Sequence, residues 1–347
     1  MRIDDWSQLW RRAVVTVTVP FIAVIAGSIT AEVVPSLQPR TPVANTWITL
    51  LSSDGNPLSA RQFYVDPATT AAAAAAQTTP PSRELEVIAQ TPQVNWLSES
   101  IPIDKIAGYV NRYVTAAEAA NKMPLLAIYA IPGRDCGGFT AGGFGTGAQY
   151  REWIDQLAAG LGTAPAGIIV EPDALTSMDC LPDAQQEERQ QLLHDAVARL
   201  TQNPNAAVYI DGGHSRWLSA QELARRLWAV GVDRARGFSL NTSNFFTTSE
   251  EIAYGEQVSS LTKGAHYVID TSRNGAGPAP DGPLNWCNPP GRALGALPTT
   301  VTAGPHADAY LWIKHPGESD GSCDRGDPAT GIFMVPYAVE LVRNAKL

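Results

Sequence analysis

The stretch Gly167-Ile168-Ile169-Val170-Glu171-Pro172-Asp173 decides the fold. Its apolar part is too short for a helix and rich in β-branched residues, which marks a buried strand. Pro172 has no N–H to give to a ladder and stops the strand. Asp173 therefore stands just past the C-terminal end of a core strand. In barrels and open sheets of parallel strands, that is the face on which sites are built. Asp173 is the candidate catalytic acid.

Five further runs have the same form. They are 124–130, 206–210 before Asp211, 237–240 before Asn241, 266–269 before Asp270, and 309–313 before Lys314. Between them lie helical patterns. Ile106, Val110, Tyr113, Val114 and Ala117 share one face of 104–121, and Trp153, Ile154, Leu157 and Leu161 share one face of 150–161. A third pattern runs over 190–200 and a last one over 336–345. Ser219-Ala220-Gln221-Glu222 and Thr248-Ser249-Glu250-Glu251 read as capping boxes that open two more helices. The all-alanine run 71–76 predicts a short surface helix. Strand and helix in alternation mean βα units and a mainly parallel sheet. Six to eight such units over this length favour a TIM-like α/β barrel.

The chain has 347 residues, 44% of them apolar, which is enough for a real core. Its net charge of -9 and lack of a basic cluster beyond Arg11-Arg12 argue against nucleic acid as a partner. Trp10-Arg11-Arg12 precedes an uncharged stretch over 13–31, the pattern of an export signal. Residues 1–31 are thus expected to be a signal peptide or, if uncleaved, a membrane anchor. Residues 32–53 are expected to form a proline-containing linker, and 54–347 the folded domain, expected to act as a monomer. Four cysteines, Cys136, Cys180, Cys287 and Cys323, allow three pairings. Export makes disulfides the expected state. Sequential pairing would close two moderate loops, each bridge contributing about 3–4 kcal/mol on the chain-entropy account.

Polar residues recur at the strand ends: Asp135, Asp173, Asp211, Asn241, Asp270, then Glu318 and Asp320. One such aspartate is commonly only a cap or turn residue. Asp211 before Gly212-Gly213 and Asp270 before Thr271-Ser272 fit that plain reading. A cluster of carboxylates does not, because like charges repel and shift each other's pKa. Trp96, Trp217, Trp286 and Trp312 lie in or beside the same loops. Indoles beside carboxylates suit a pyranose ring, whose faces are apolar and edges polar, though each can equally fill core. The five histidines lack metal-ligand spacing, no Gly-x-Ser-x-Gly elbow occurs, and no cofactor is implied.

Several segments together resemble glycoside hydrolase family 6, the inverting cellulases. They are Tyr129-Ala-Ile-Pro-Gly-Arg-Asp135-Cys136, Val170-Glu-Pro-Asp173-Ala-Leu175, and Tyr209-Ile-Asp211-Gly-Gly-His214-Ser-Arg-Trp217. Asn241-Thr-Ser-Asn244, Asp270-Thr-Ser-Arg273-Asn-Gly275, Trp286-Cys287-Asn288 and Trp312-Ile-Lys314-His-Pro-Gly-Glu318-Ser-Asp320-Gly321 complete the set, in family order. The resemblance implies a distorted, incomplete β/α barrel and sequential disulfides, Cys136 with Cys180 and Cys287 with Cys323. It implies Asp173 as general acid. Asp135 would raise the Asp173 pKa and order the attacking water, and Tyr129 would push the sugar ring out of its chair. Asp320 is implied as the base, directly or through a water. Trp96, His214, Trp217, Asn244, Trp286, Lys314 and Glu318 match sugar-contacting positions. Two departures stand out: His315 occupies a place where proline is common, and Thr140-Ala141 replace a serine that helps hold the water.

Processive members of the family enclose the chain with long insertions near the last cysteine pair. Cys287 to Cys323 is compact, so the resemblance implies an open cleft and internal cleavage of a β-1,4-glucan, that is, an endo-β-1,4-glucanase, expected to be secreted or anchored at the cell envelope. Two other readings use the same cleft: a catalytically weak carbohydrate-binding protein, and a cell-envelope protein without hydrolysis.

Overall fold

Seven short strands, most of them fully buried, organise the described residues: β1 Asn95–Leu97, β2 Leu125–Ile128, β3 Ala166–Val170, β4 Ala206–Asp211, β5 Gly237–Leu240, β6 His266–Asp270 and β7 Ala307–Leu311. The structure is a computed structural model and describes residues 55–345. The expected export segment and linker lie outside the described residues. All neighbouring strands are parallel, in the order β1-β2-β3-β4-β5-β6-β7. Six are those expected from the sequence. The seventh, β1, is three residues long, too brief to show a period.

Strand twist and tilt curl the sheet into an open, distorted β/α barrel, so that alternate residues meet two different environments. Ala127, Ile169, Ala207, Tyr209, Val268, Ala309 and Leu311 point inward, plugged from below by Leu58 and Phe63. Ile168, Val170, Val208, Ile210, Phe238, Leu240 and Ile269 point outward against helices. With both faces covered, the strands are apolar without alternation. The covering helices are α3 Ile103–Ala119, α4 Gly147–Leu161, α5 Asp183–Leu200, α6 Ala220–Ala229 and α7 Thr248–Leu261. Three others, α1 Thr70–Gln77, α2 Arg83–Ala89 and α8 Val335–Asn344, pack around Trp312 as a separate cluster. The alanine run is thus helical as expected. No helix separates β6 from β7. That omission, with the unladdered gap between β7 and β1, is the distortion. The gap is crossed by Val94 N–H donating to Trp312 O at 3.0 Å and Trp96 Nε1 to Ile313 O at 2.7 Å.

Some boundaries differ from the sequence reading. Helix α5 begins at Asp183, two turns before its apolar stripe. The Ser219 box holds, its hydroxyl accepting from Glu222 N–H. The Thr248 box is shifted by one residue. Thr247 is the N-cap and accepts from Glu250 N–H, which frees Glu251 to be buried. Among the described residues no helix is long and apolar enough to cross a membrane.

Candidate active site

The C-terminal ends of the strands open into a cleft of about 1060 Å³. Every site residue expected from the sequence lines it: Asp173, Asp135, Asp320, Tyr129, Trp96, His214, Trp217, Asn244, Trp286, Lys314 and Glu318. Trp312 does not; it is fully buried, its Nε1 donating to Ala296 O. Both disulfides are sequential, Cys136–Cys180 and Cys287–Cys323, and each ties a loop on the cleft rim.

The loops are bent hard where the site forms. Asp135, Cys136, Glu171, Asp173, Asn241 and Ser243 all take left-handed backbone. Such residues cost roughly 1–3 kcal/mol each and gather where a side chain must be aimed. The strain is held in place below. Glu171 is buried and accepts from Ala130 N–H and Ile131 N–H, fixing the chain after β2 against the turn after β3.

Asp173 sits at the cleft floor. Burial pushes its carboxyl well above the usual carboxylate range, and the neighbouring Asp211 and Asp135 carboxylates push it further. No cation offsets this; both charged groups that act on it are acidic. Asp211 is the stronger neighbour, and the plain turn reading of it was incomplete. It does cap its own turn, through Gly213 N–H at 3.0 Å. It also accepts from Ser239 Oγ, Thr242 Oγ1 and the Asp173 N–H. Burial raises the Asp211 carboxyl too, but those four donors work against burial there. No such donor acts on Asp173 among the described residues, so the proton of the pair favours Asp173. The signal was absent from local sequence because Asp211 reaches Asp173 only through the β3–β4 register, Val170 beside Ile210.

Asp135 is aimed by Thr140, whose N–H and hydroxyl both donate to Oδ2, at 2.7 and 2.6 Å. Since the Thr140 hydroxyl proton is committed, Tyr129 OH donates to Thr140 Oγ1 at 2.8 Å. A relay Tyr129–Thr140–Asp135 results. Gly138 makes room for it: a Cβ there would lie 2.6 Å from the Asp135 carboxylate. Trp96 meets the Tyr129 ring edge-on at 5.2 Å and the Arg134 guanidinium covers it at 4.5 Å.

Asp320 is the opposite case. Burial opposes its charge, but Arg273 and Lys314 outweigh burial and hold the carboxyl below the usual range. Arg273 Nη1 reaches both oxygens, at 3.0 and 2.8 Å, Lys314 Nζ lies at 3.2 Å, and Asn288 N–H donates at 3.0 Å. Arg273 and Asn288 were not singled out as site residues in the sequence, because nothing local joins them to position 320. Asp270 is a turn residue through Ser272 N–H, and beyond that its carboxylate accepts from the Ser243 and Lys314 N–H groups and braces three loops together.

Toward the rim, His214 packs on Phe246 at 4.3 Å and near Trp217 at 5.4 Å. Burial lowers its pKa to about 4, so it is neutral. Arg216 N–H donates to its Nδ1, which leaves the proton on Nε2. Trp217 and Trp286 are 39% and 42% exposed, indoles offered to solvent rather than to the core. Among the described residues no group of three or more His, Cys, Asp or Glu is placed to hold a metal ion.

Residues 55–345 match the family described as glycosyl hydrolases family 6. Endoglucanase A of Cellulomonas fimi is 44% identical over 286 residues, covering 82% of this chain and 61% of that protein. Endoglucanase A of Thermobispora bispora is 43% identical over 293 residues, covering 82% and 62%. The chain thus spans about three fifths of the length of these two relatives. The structure of the endoglucanase Cel6 from Mycobacterium tuberculosis, solved with methyl-cellobiosyl-4-deoxy-4-thio-β-D-cellobioside, superposes with a TM-score of 0.83. It is 62% identical and covers 84% of this chain and 99% of that one.

Proposed function

The chain belongs to glycosyl hydrolase family 6, and we propose on that premise that it is an inverting endo-β-1,4-glucanase. The observation that carries the reading is a pair of carboxyls with opposite states in one indole-lined cleft. Asp173 is held protonated by burial and by acidic neighbours. Asp320 is held ionised by Arg273 and Lys314. Inverting hydrolysis needs one acid and one base on opposite sides of the bond, about 6.5–9.5 Å apart, with a water between.

In this reading Asp173 protonates the leaving glycosidic oxygen. Departure builds positive charge on the sugar ring, and the Asp135 carboxylate stabilises it while orienting the water. The Tyr129 ring, braced by Trp96 and Arg134, presses on the ring that must flatten. At rest Asp320 is a weak base, since its oxygens are taken by donors. It gains strength if Lys314, which lines the cleft, turns to the sugar. Trp217 and Trp286 bind pyranose faces, and His214 donates from Nε2. Glu318 and Asn244 take hydroxyls at the edges. Exposure of the two rim indoles supports an open cleft and internal cleavage. Two disulfides suit a chain that is exported, secreted or held at the envelope. The folded catalytic domain is assigned to 54–347, preceded by signal or anchor and linker, and acts as a monomer.

The test is viscosity against new reducing ends on carboxymethyl-cellulose. A steep viscosity drop with few ends, abolished by Asp173→Asn, is expected. Sugar binding without hydrolysis in the unaltered protein would favour a binding protein instead.

A further inference from the structure

His315 occupies an unusual place in the seam of the barrel. It follows Lys314 after β7, yet its ring crosses the gap to the chain entering β1. Its Nε2 lies 2.7 Å from Val94 O, and its Nδ1 lies 3.1 Å from Glu318 Oε1. A backbone carbonyl has no proton to give, so Nε2 must donate. Glu318 Oε1 also accepts from Thr70 Oγ1 at 2.7 Å, and its carboxyl is held below the usual range despite burial, so it is ionised and can only accept. Nδ1 must therefore donate as well. A ring that donates from both nitrogens is an imidazolium. From these contacts we infer that His315 is a charged positioning residue, which fixes Glu318 in the cleft and locks it to the strand that carries Trp96.

The groups that face the ring favour the charge on balance. From its own loop come Glu318, which favours the charge, and Lys314, which opposes it; from the start of β1 comes the Val94 carbonyl, which favours it. Burial works against the charge, and Glu318 with Val94 outweighs it, so the histidine pKa is raised. The same pairing keeps Glu318 below the usual carboxylate range against its own burial. Helix α1 contributes Thr70, a neutral donor to Glu318. Glu318 Oε2 makes no hydrogen bond among the described residues, and it belongs to a residue that lines the cleft. With Oε1 doubly held, Oε2 is presented to a sugar hydroxyl in one orientation. Loss of the His315 proton removes one of its two bonds and lets either Glu318 or the β1 edge move. The consequence is a pH-dependent affinity for glucan, separate from the proton transfers of hydrolysis.

This inference rests on the glucanase reading for its kinetic arm but not for its structural one. The structural arm is long-range 15N–1H correlation on the full chain labelled at its five histidines, repeated with His315→Gln. The expected result is one imidazole protonated at both nitrogens at neutral pH, above the ordinary His value of about 6.5, and missing from the variant. A neutral single tautomer at His315 at neutral pH would overturn it, and this holds even if the variant fails to fold. The kinetic arm compares the unaltered protein and His315→Gln on soluble glucan across pH. A rise in KM of about tenfold with kcat little changed is expected below the His315 pKa, shrinking above it. An unchanged KM at every pH, or an equal loss in kcat, would overturn the positioning role. Inactivity of the unaltered protein on every β-glucan would sink the glucanase reading while leaving the spectroscopic result intact.

Discussion

Two buried aspartates stand at opposite ends of the same barrel and are held in opposite states. Asp308, at the start of β7, is the extra residue of a bulge between Tyr267 and Val268. Its carboxylate takes two bonds from Arg236, at 2.7 and 2.9 Å, and one from Tyr209 OH at 2.7 Å, with His266 at 3.1 Å. Burial opposes its charge, and these donors outweigh burial, so its pKa is lowered. Asp173, past the end of β3, has carboxylates for neighbours instead, and its pKa is raised. Desolvation is the largest influence on both and acts in the same direction. What differs is the sign of the neighbour. The closed end of the barrel spends its buried carboxylate on pinning strands together; the open end keeps a proton available.

Exchanging the acid for an amide should separate these two roles, and the largest effect belongs to the open end. Asp173→Asn is expected to lower kcat by about 10³-fold, within the range for loss of a general acid, with the unfolding midpoint unchanged or raised. Steady-state kinetics beside denaturant unfolding would check both halves. Asp308→Asn should do the reverse. It strands the Arg236 guanidinium, costing about 3 kcal/mol of stability by urea unfolding, with kcat of the folded fraction kept.

A subtler variant alters only the neighbour. Asp211→Asn removes the nearer negative charge, so the Asp173 pKa must fall. The alkaline limb of kcat/KM is then expected to move to lower pH by about one unit, with kcat at the optimum down about tenfold. A limb that stays in place would mean that burial and Asp135 set the acid without Asp211.

The smallest effect concerns a base rather than an acid. His214 has a folded pKa of about 4, depressed from its unfolded value by burial. The unfolded chain therefore binds this proton first as pH falls. The stability contributed by neutral His214 is complete above about pH 6.5 and is lost progressively between there and about pH 4. His214→Asn should flatten the unfolding free energy over that window relative to the unaltered protein, as followed by urea unfolding at several pH values.

Much of this was legible in sequence, for identifiable reasons. Strands β2 to β7 are apolar runs that end in polar residues, and a run of that form has few other structures open to it. Asp173, Asp135, Tyr129 and Lys314 lie at or soon after strand ends, so strand reading placed them on one face, and the resemblance supplied roles. What stayed hidden depends on strand register and on loops meeting. Asp211 looked like a turn residue because its contact with Asp173 crosses between strands. Arg273 is 47 residues from the Asp320 it neutralises. Thr140 proved to be the donor that aims Asp135, which no local pattern announces. Trp312 could not be told from its exposed counterparts, because an indole near a loop looks the same in sequence whether it faces cleft or core.

The most direct test is the titration of Asp173 itself, followed by 13C carboxyl shifts of labelled aspartate in the unaltered protein and in Asp173→Asn. The expected difference is one carboxyl that titrates well above the ordinary aspartate value of about 3.9 and vanishes in the variant. A resonance lost from the variant that had titrated near the ordinary value would contradict the account, because an acid already ionised at working pH has no proton to give the leaving sugar.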